Sequence, residues 1–203
     1  MADEKISVKH IQNSYGLRPE ALEFPMMCVL SFTYVCNAGC PNCPYTNSEI
    51  RKDYRDRPFM NADTFKIIAD QCGEYGAWVR LSGGGEPMLH AQAVDLMDYA
   101  KKAGAKVGLI TNGSRFTEVN SRRLLEANVD MIEFSVDAAD AETYDRVRKG
   151  LKWETLVENV QRMIALRSRL KSATKIIASG VNQEGVDIEA VARFWEPLVD
   201  NFH

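Results

Sequence analysis

Five short apolar runs, each followed by a longer stretch of helical periodicity, limit this chain to very few folds. The runs are residues 28–33 (CVLSFT), 78–82 (WVRLS), 106–111 (KVGLIT), 131–136 (MIEFSV) and 175–179 (KIIAS), all rich in Val, Ile, Leu or Phe. Between them, Phe65, Ile68, Cys72 and Tyr75 share one helical face, with Asp63 as the expected N-cap. Leu96, Met97 and Ala100 suit a helix ended by Gly104, and Leu124 and Leu125 lie in another. Trp153, Leu156, Val157, Val160 and Ile164 mark a further helix, and Ile188, Val191, Ala192 and Trp195 the last. Strand then helix, repeated five times, requires parallel strands joined by crossovers. An open doubly wound sheet and a closed or partly closed barrel both use that repeat, and both gather their chemistry at the C-terminal ends of the strands.

At 203 residues, 45% hydrophobic and 26% charged, the chain is expected to form one α/β domain. Residues 1–26 read as a lead-in and residues 27–203 as the core. The net charge is -3 with basic residues scattered among acidic ones, which gives neither a nucleic-acid footprint nor a membrane-surface patch. A small molecule, a peptide or another protein is the expected partner. The start, MADEKISVKH, lacks a signal-peptide core, and no apolar run reaches bilayer length, so a cytoplasmic location is expected. Residues 47–58 (NSEIRKDYRDRP) read as a solvated loop. The sequence stops at His203, just after the fifth helical pattern and before any visible sixth strand, so the expectation is a fragment or an open sheet.

Three of the five cysteines, Cys36, Cys40 and Cys43, fall within the ten residues YVCNAGCPNC after the first strand. In a reducing compartment such clustering points to metal or redox chemistry rather than disulfides. A structural zinc wants four ligands, but Cys28 lies in a strand, Cys72 lies on an apolar helix face, and His10, His90 and His203 are isolated. A redox pair of Cys40 and Cys43 leaves Cys36 without a role. Three thiolates on one loop can hold three corners of a four-iron cube and leave one iron open to a small ligand. A zinc-stabilised binding module and a thiol oxidoreductase stay open beside that reading.

The spacing Cys36-x-x-x-Cys40-x-x-Cys43 after a first strand resembles the cluster motif of the radical S-adenosylmethionine (radical SAM) enzymes. Gly83-Gly84-Gly85-Glu86-Pro87 after the second strand is similar to the family's Gly-Gly-Glu-Pro segment, and Thr111-Asn112-Gly113 after the third is frequent there. The resemblance implies a partial (β/α) barrel ending before its sixth strand, a [4Fe-4S] cluster on the three cysteines, and S-adenosylmethionine cleaved to a 5′-deoxyadenosyl radical. It implies that Gly84, Gly85 and Glu86 hold the methionyl amino group, and that Ser135 and Asp137 lie near the ribose or amino-acid portion. By the same likeness Arg148 aims at the cofactor carboxylate, Asn182 passes the adenine, and flavodoxin or ferredoxin supplies electrons. The Tyr-Asp-Arg-Val-Arg-Lys-Gly stretch from Tyr144, with its Trp-led helix, looks most like members with a cysteine-rich C-terminal SPASM or twitch domain, which modify peptides or small metabolites. Many relatives carry an aromatic residue just before the third cysteine. This chain has Asn42 there, and Tyr45 is the expected substitute.

Overall fold

The computed structural model describes residues 23–52, 56 and 58–203. The expected lead-in and His10 lie largely or wholly outside these residues. The elements run β1 (Met27–Ser31), α1 (Ser48–Lys52), α2 (Ala62–Glu74), β2 (Trp78–Ser82), α3 (Ala93–Lys102), β3 (Lys106–Thr111) and α4 (Glu118–Glu126). They continue with β4 (Met131–Ser135), α5 (Ala141–Val147), α6 (Trp153–Leu170), β5 (Lys175–Ser179), α7 (Ile188–Trp195) and β6 (Asn201–Phe202).

All six strands are parallel and ordered β1-β2-β3-β4-β5-β6, so the sheet is open, with no pairing of its first strand to its last. Strand register separates the two faces. Val79, Leu81, Val107, Leu109, Ile132, Phe134, Ile176 and Ala178 are buried on one face. On the other, Val29 is 60% exposed, Met27 is 39% exposed, and Lys106 and Lys175 are exposed. A doubly wound sheet would cover both faces with helices and read as continuous apolar strands. Helices on one face only are the arrangement of a partial barrel.

The expectation that the chain ends before a sixth strand is corrected. Asn201 and Phe202 pair with Ile177 and Ala178. Two residues carry no periodicity, so the strand has no signature in the sequence. The cap of α2 is also corrected. The Asn61 side chain accepts from the N–H groups of Asp63 and Thr64 (2.8 and 3.2 Å), which places Asp63 inside the first turn, where its charge favours the helix dipole. Within the stretch read as a loop, residues 48–52 form the short α1.

Two buried contacts fix the strand ends that carry the chemistry. Trp195 of α7 is fully buried and its Nε1–H donates to the Ala138 carbonyl (2.8 Å), pinning the segment after β4. Asn159 of α6, 4% exposed, donates from Nδ2 to the Gly113 carbonyl (2.7 Å) and pins the turn after β3. Each gives a buried main-chain oxygen the donor it needs. Among the described residues, no helix is long and apolar enough to cross a membrane.

Candidate active site at the strand ends

The cysteine loop leaves β1 through the buried Phe32 and Thr33 and is tied down along its length. Thr33 Oγ1 donates to the Pro58 carbonyl and accepts from the Val35 N–H (2.9 and 3.0 Å), while the Tyr34 N–H also reaches Pro58 (2.8 Å). Further on, the Gly39 N–H donates to the Lys149 carbonyl (2.7 Å), and the Cys43 N–H closes a turn on the Cys40 carbonyl (3.1 Å). Pro44 then starts a short 3-10 turn, and Thr46 Oγ1 donates to the Cys43 carbonyl (2.7 Å). A loop so anchored presents its thiols in a fixed order, a condition for a preorganised site.

Cys36, Cys40 and Cys43 all line one cavity of about 250 Å³. The ends of β2, β3 and β4, the C-cap of α5 and the segment after β5 supply the rest of its wall. Of the ten residues expected to serve the site, nine line this cavity: the three cysteines, Gly84, Gly85, Glu86, Ser135, Asp137 and Arg148. Asn182 does not. It is exposed, and its neighbours Val181 and Gln183 face the cavity instead.

The glycine turn is built by close approach. A Cβ on Gly85 would fall 2.3 Å from the Val35 carbonyl oxygen, and one on Gly84 would fall 2.3 Å from Tyr34 Cδ1 and 2.9 Å from Tyr45 Cδ1. Only glycine lets the turn lie this near the cysteine loop, to which the Glu86 N–H bonds at the Val35 carbonyl (2.8 Å). Tyr45 therefore packs on Tyr34, ring centroids 5.9 Å apart, and beneath Gly84. It does not line the cavity. Asn42 and Gln183 occupy that side, with Asn42 Nδ2 donating to Gln183 Oε1.

Two carboxylates face the cavity and differ in partners. Glu86 Oε1 accepts from Thr111 Oγ1 (2.7 Å) and the Met88 N–H (3.0 Å), and Oε2 accepts from the Asn112 N–H (2.7 Å). Burial pushes its pKa above the usual carboxylate range, against the pull of those donors. Asp137 Oδ2 instead pairs with Arg148 Nη2 (2.7 Å), and Oδ1 accepts from the Val181 N–H (2.8 Å).

Burial also raises the thiol pKa values of Cys36 and Cys40, and the charges of neighbouring cysteines add to the rise. Arg148 opposes it at Cys40. Metal ligation requires thiolates, so a bound cation would reverse this balance. Cys28 and Cys72 interact with each other on the helix side of the sheet, leaving three thiols at the cavity. Among the described residues, no three His, Cys, Asp or Glu side chains gather to hold a single metal ion, and the zinc reading finds no fourth ligand in Cys28. Three thiols spread over one cavity wall do fit a cluster held at three corners.

Asn112 follows β3 within the Thr111-Asn112-Gly113 segment, where Gly113 turns with φ 75°. The Asn112 side chain has a further part: Nδ2 donates to Asn37 Oδ1 (3.0 Å) and lies 3.9 Å from Cys36 Sγ.

Residues 30–194 match the Radical SAM superfamily. The chain belongs to that family. Radical SAM proteins use a [4Fe-4S] cluster and S-adenosylmethionine, and in this member Cys36, Cys40 and Cys43 share one cavity wall. The mycofactocin maturase MftC of Mycobacterium tuberculosis (strain ATCC 25618 / H37Rv) is 28% identical over 144 residues, 71% of this chain and 36% of MftC. An AdoMet-dependent heme synthase of Methanosarcina barkeri is 27% identical over 124 residues, 61% of this chain and 34% of the synthase. This radical SAM chain thus spans little more than a third of the curated relatives it matches. SuiB of Streptococcus suis shares the fold at 18% identity in structures bound to S-adenosylmethionine and to its precursor peptide SuiA, with TM-scores of 0.71 and 0.72. Those alignments take in 97% and 100% of this chain and 46% of SuiB.

Proposed function

We propose that residues 27–203 form the core of a radical SAM enzyme, cytoplasmic in location, that acts on a peptide or small metabolite and receives electrons from a flavodoxin or ferredoxin. One observation carries the reading: the three thiols of one loop share a cavity with the Gly84-Gly85-Glu86 turn, and no fourth thiol competes for the remaining iron. When bound, the cluster and S-adenosylmethionine supply a one-electron cleavage of the sulfonium, giving a 5′-deoxyadenosyl radical that removes hydrogen from the substrate.

The chain's residues bind and orient. Cys36, Cys40 and Cys43 hold three irons. Gly84 and Gly85 bring main chain to the cavity for the methionyl amino group, and Glu86 holds that turn against the end of β3. Ser135, at the end of β4, offers a hydroxyl to the ribose or amino-acid portion. The peptide reading leans on SuiB, whose structure holds the precursor peptide SuiA. The heme synthase supports a small-molecule substrate.

Anaerobic reconstitution with iron and sulfide, reduction with dithionite and addition of S-adenosylmethionine test the reading. The expected product is 5′-deoxyadenosine, lost in Cys36→Ala. Bound zinc without iron, or cleavage that survives Cys36→Ala, overturns it.

A further inference from the structure

Arg148 ends α5, and its N–H bonds the Tyr144 carbonyl (2.7 Å). From there its guanidinium enters the cavity wall with its side chain 15% exposed. Nη2 pairs with Asp137 Oδ2 (2.7 Å), and Nη1 lies 3.9 Å from Cys40 Sγ, within reach of a hydrogen bond to sulfur. Asp137 has little freedom to release it. Its side chain is 7% exposed, its backbone is left-handed (φ 50°), and its second oxygen is bonded to the Val181 N–H. The next residue is fixed as well, because the Ala138 carbonyl accepts from Trp195 Nε1–H. A fork held this way has one terminal nitrogen on a carboxylate and the other on a cysteine sulfur. Arg148 Nε is buried without a partner, so the fork keeps a donor beyond the two in use.

We propose that Arg148, held by Asp137, sets the reduction potential of the cluster through the Cys40 sulfur. The inference rests on the cluster-binding reading above. One electron from an external reductant enters the cluster without a proton, so the reduced state is more negative by one charge. A cationic N–H donor at a ligating sulfur favours that state and raises the potential. Asp137 offsets part of the charge and keeps the donor aimed. Arg148 is therefore a positioning residue, acting through Cys40.

The test is an EPR-monitored redox titration of the anaerobically reconstituted chain with dithionite, on wild type, Arg148→Gln and Arg148→Lys, each with iron and sulfide counted. At the wild-type midpoint, Arg148→Gln is expected to show about a tenfold lower ratio of reduced to oxidised cluster, a shift of about 59 mV to more negative potential for a one-electron couple. Arg148→Lys keeps the charge and loses the fork, so a smaller shift of the same sign is expected. A full cluster complement with an unchanged midpoint overturns the proposal. If Arg148→Gln fails to hold the cluster, Arg148→Lys decides by the same criterion. Wild type without iron and sulfide overturns the cluster-binding reading itself, and the counts separate that failure from one confined to Arg148.

Discussion

Glu86 and Asp137 are both acidic, both at most 5% exposed and both on the wall of one cavity, yet the chain treats them oppositely. Glu86 meets three neutral donors from its own turn and from the end of β3. Asp137 meets an arginine that reaches on to a cysteine sulfur. Burial with neutral donors makes a carboxylate a staple between strand ends, its charge poorly compensated. Burial with a cation makes it a brace whose partner can influence a third group. The acidic residue of the Gly-Gly-Glu-Pro segment therefore builds the site, and the resemblance that suggested a contact with the methionyl amino group does not distinguish that from scaffolding.

The largest effect is expected beside Glu86. Gly85→Ala puts a Cβ against the carbonyl oxygens of Val35 and Thr33, at 2.3 and 2.8 Å, which are main-chain atoms bonded into the loop. We expect a loss of about 3 kcal/mol in chemical denaturation, together with low iron uptake. Glu86→Ala leaves three donors without their acceptor and is expected to cost about 2 to 3 kcal/mol, whereas Glu86→Gln, which keeps one oxygen, is expected to cost about 1 kcal/mol. At the other carboxylate, Asp137→Ala strands a largely buried guanidinium. The cavity is open to water, so about 2 kcal/mol is expected rather than the full penalty of a dry site. Asp137→Asn keeps an acceptor for the Val181 N–H and a residue tolerant of positive φ, so about 1 kcal/mol or less is expected. Similar costs for Ala and Asn at position 137 would assign the loss to the ionic pairing with Arg148, which both variants lack, rather than to the Val181 N–H or the backbone.

The five strands were legible because a parallel strand packed on helices needs alternate apolar residues, and Val79, Leu81, Val107 and Leu109 supply them. The sixth strand was not, since its two residues pair through main chain alone. The cysteines and the glycine turn were legible as spacing. Their partners were not: Asn112, Gln183 and Asn42 are single amides in turns, whose roles follow from loops meeting across the cavity. Asn182 lies off the cavity wall that Val181 and Gln183 line, because a loop after a strand does not keep the strand's alternation. Arg148 was placed on the cavity by resemblance, but its commitment to Asp137 and Cys40 depends on where α5 ends.

The smallest effect is a dependence on pH, and it bears on Glu86 alone. Because burial raises its pKa in the folded state, the folded chain keeps a proton that the unfolded chain releases above about pH 4.3. More protons bound in the folded state means that stability falls as pH rises. The contribution is full below the ordinary glutamate value and is lost as pH rises through the raised one. Denaturation of wild type and Glu86→Gln from about pH 4 to about pH 8 isolates it, because glutamine does not titrate over that range. The stability of wild type relative to Glu86→Gln is expected to decline with rising pH. A flat or rising difference would mean that Thr111, Met88 and Asn112 compensate the buried charge as fully as Arg148 compensates Asp137, and the contrast between the two carboxylates would reduce to one of geometry.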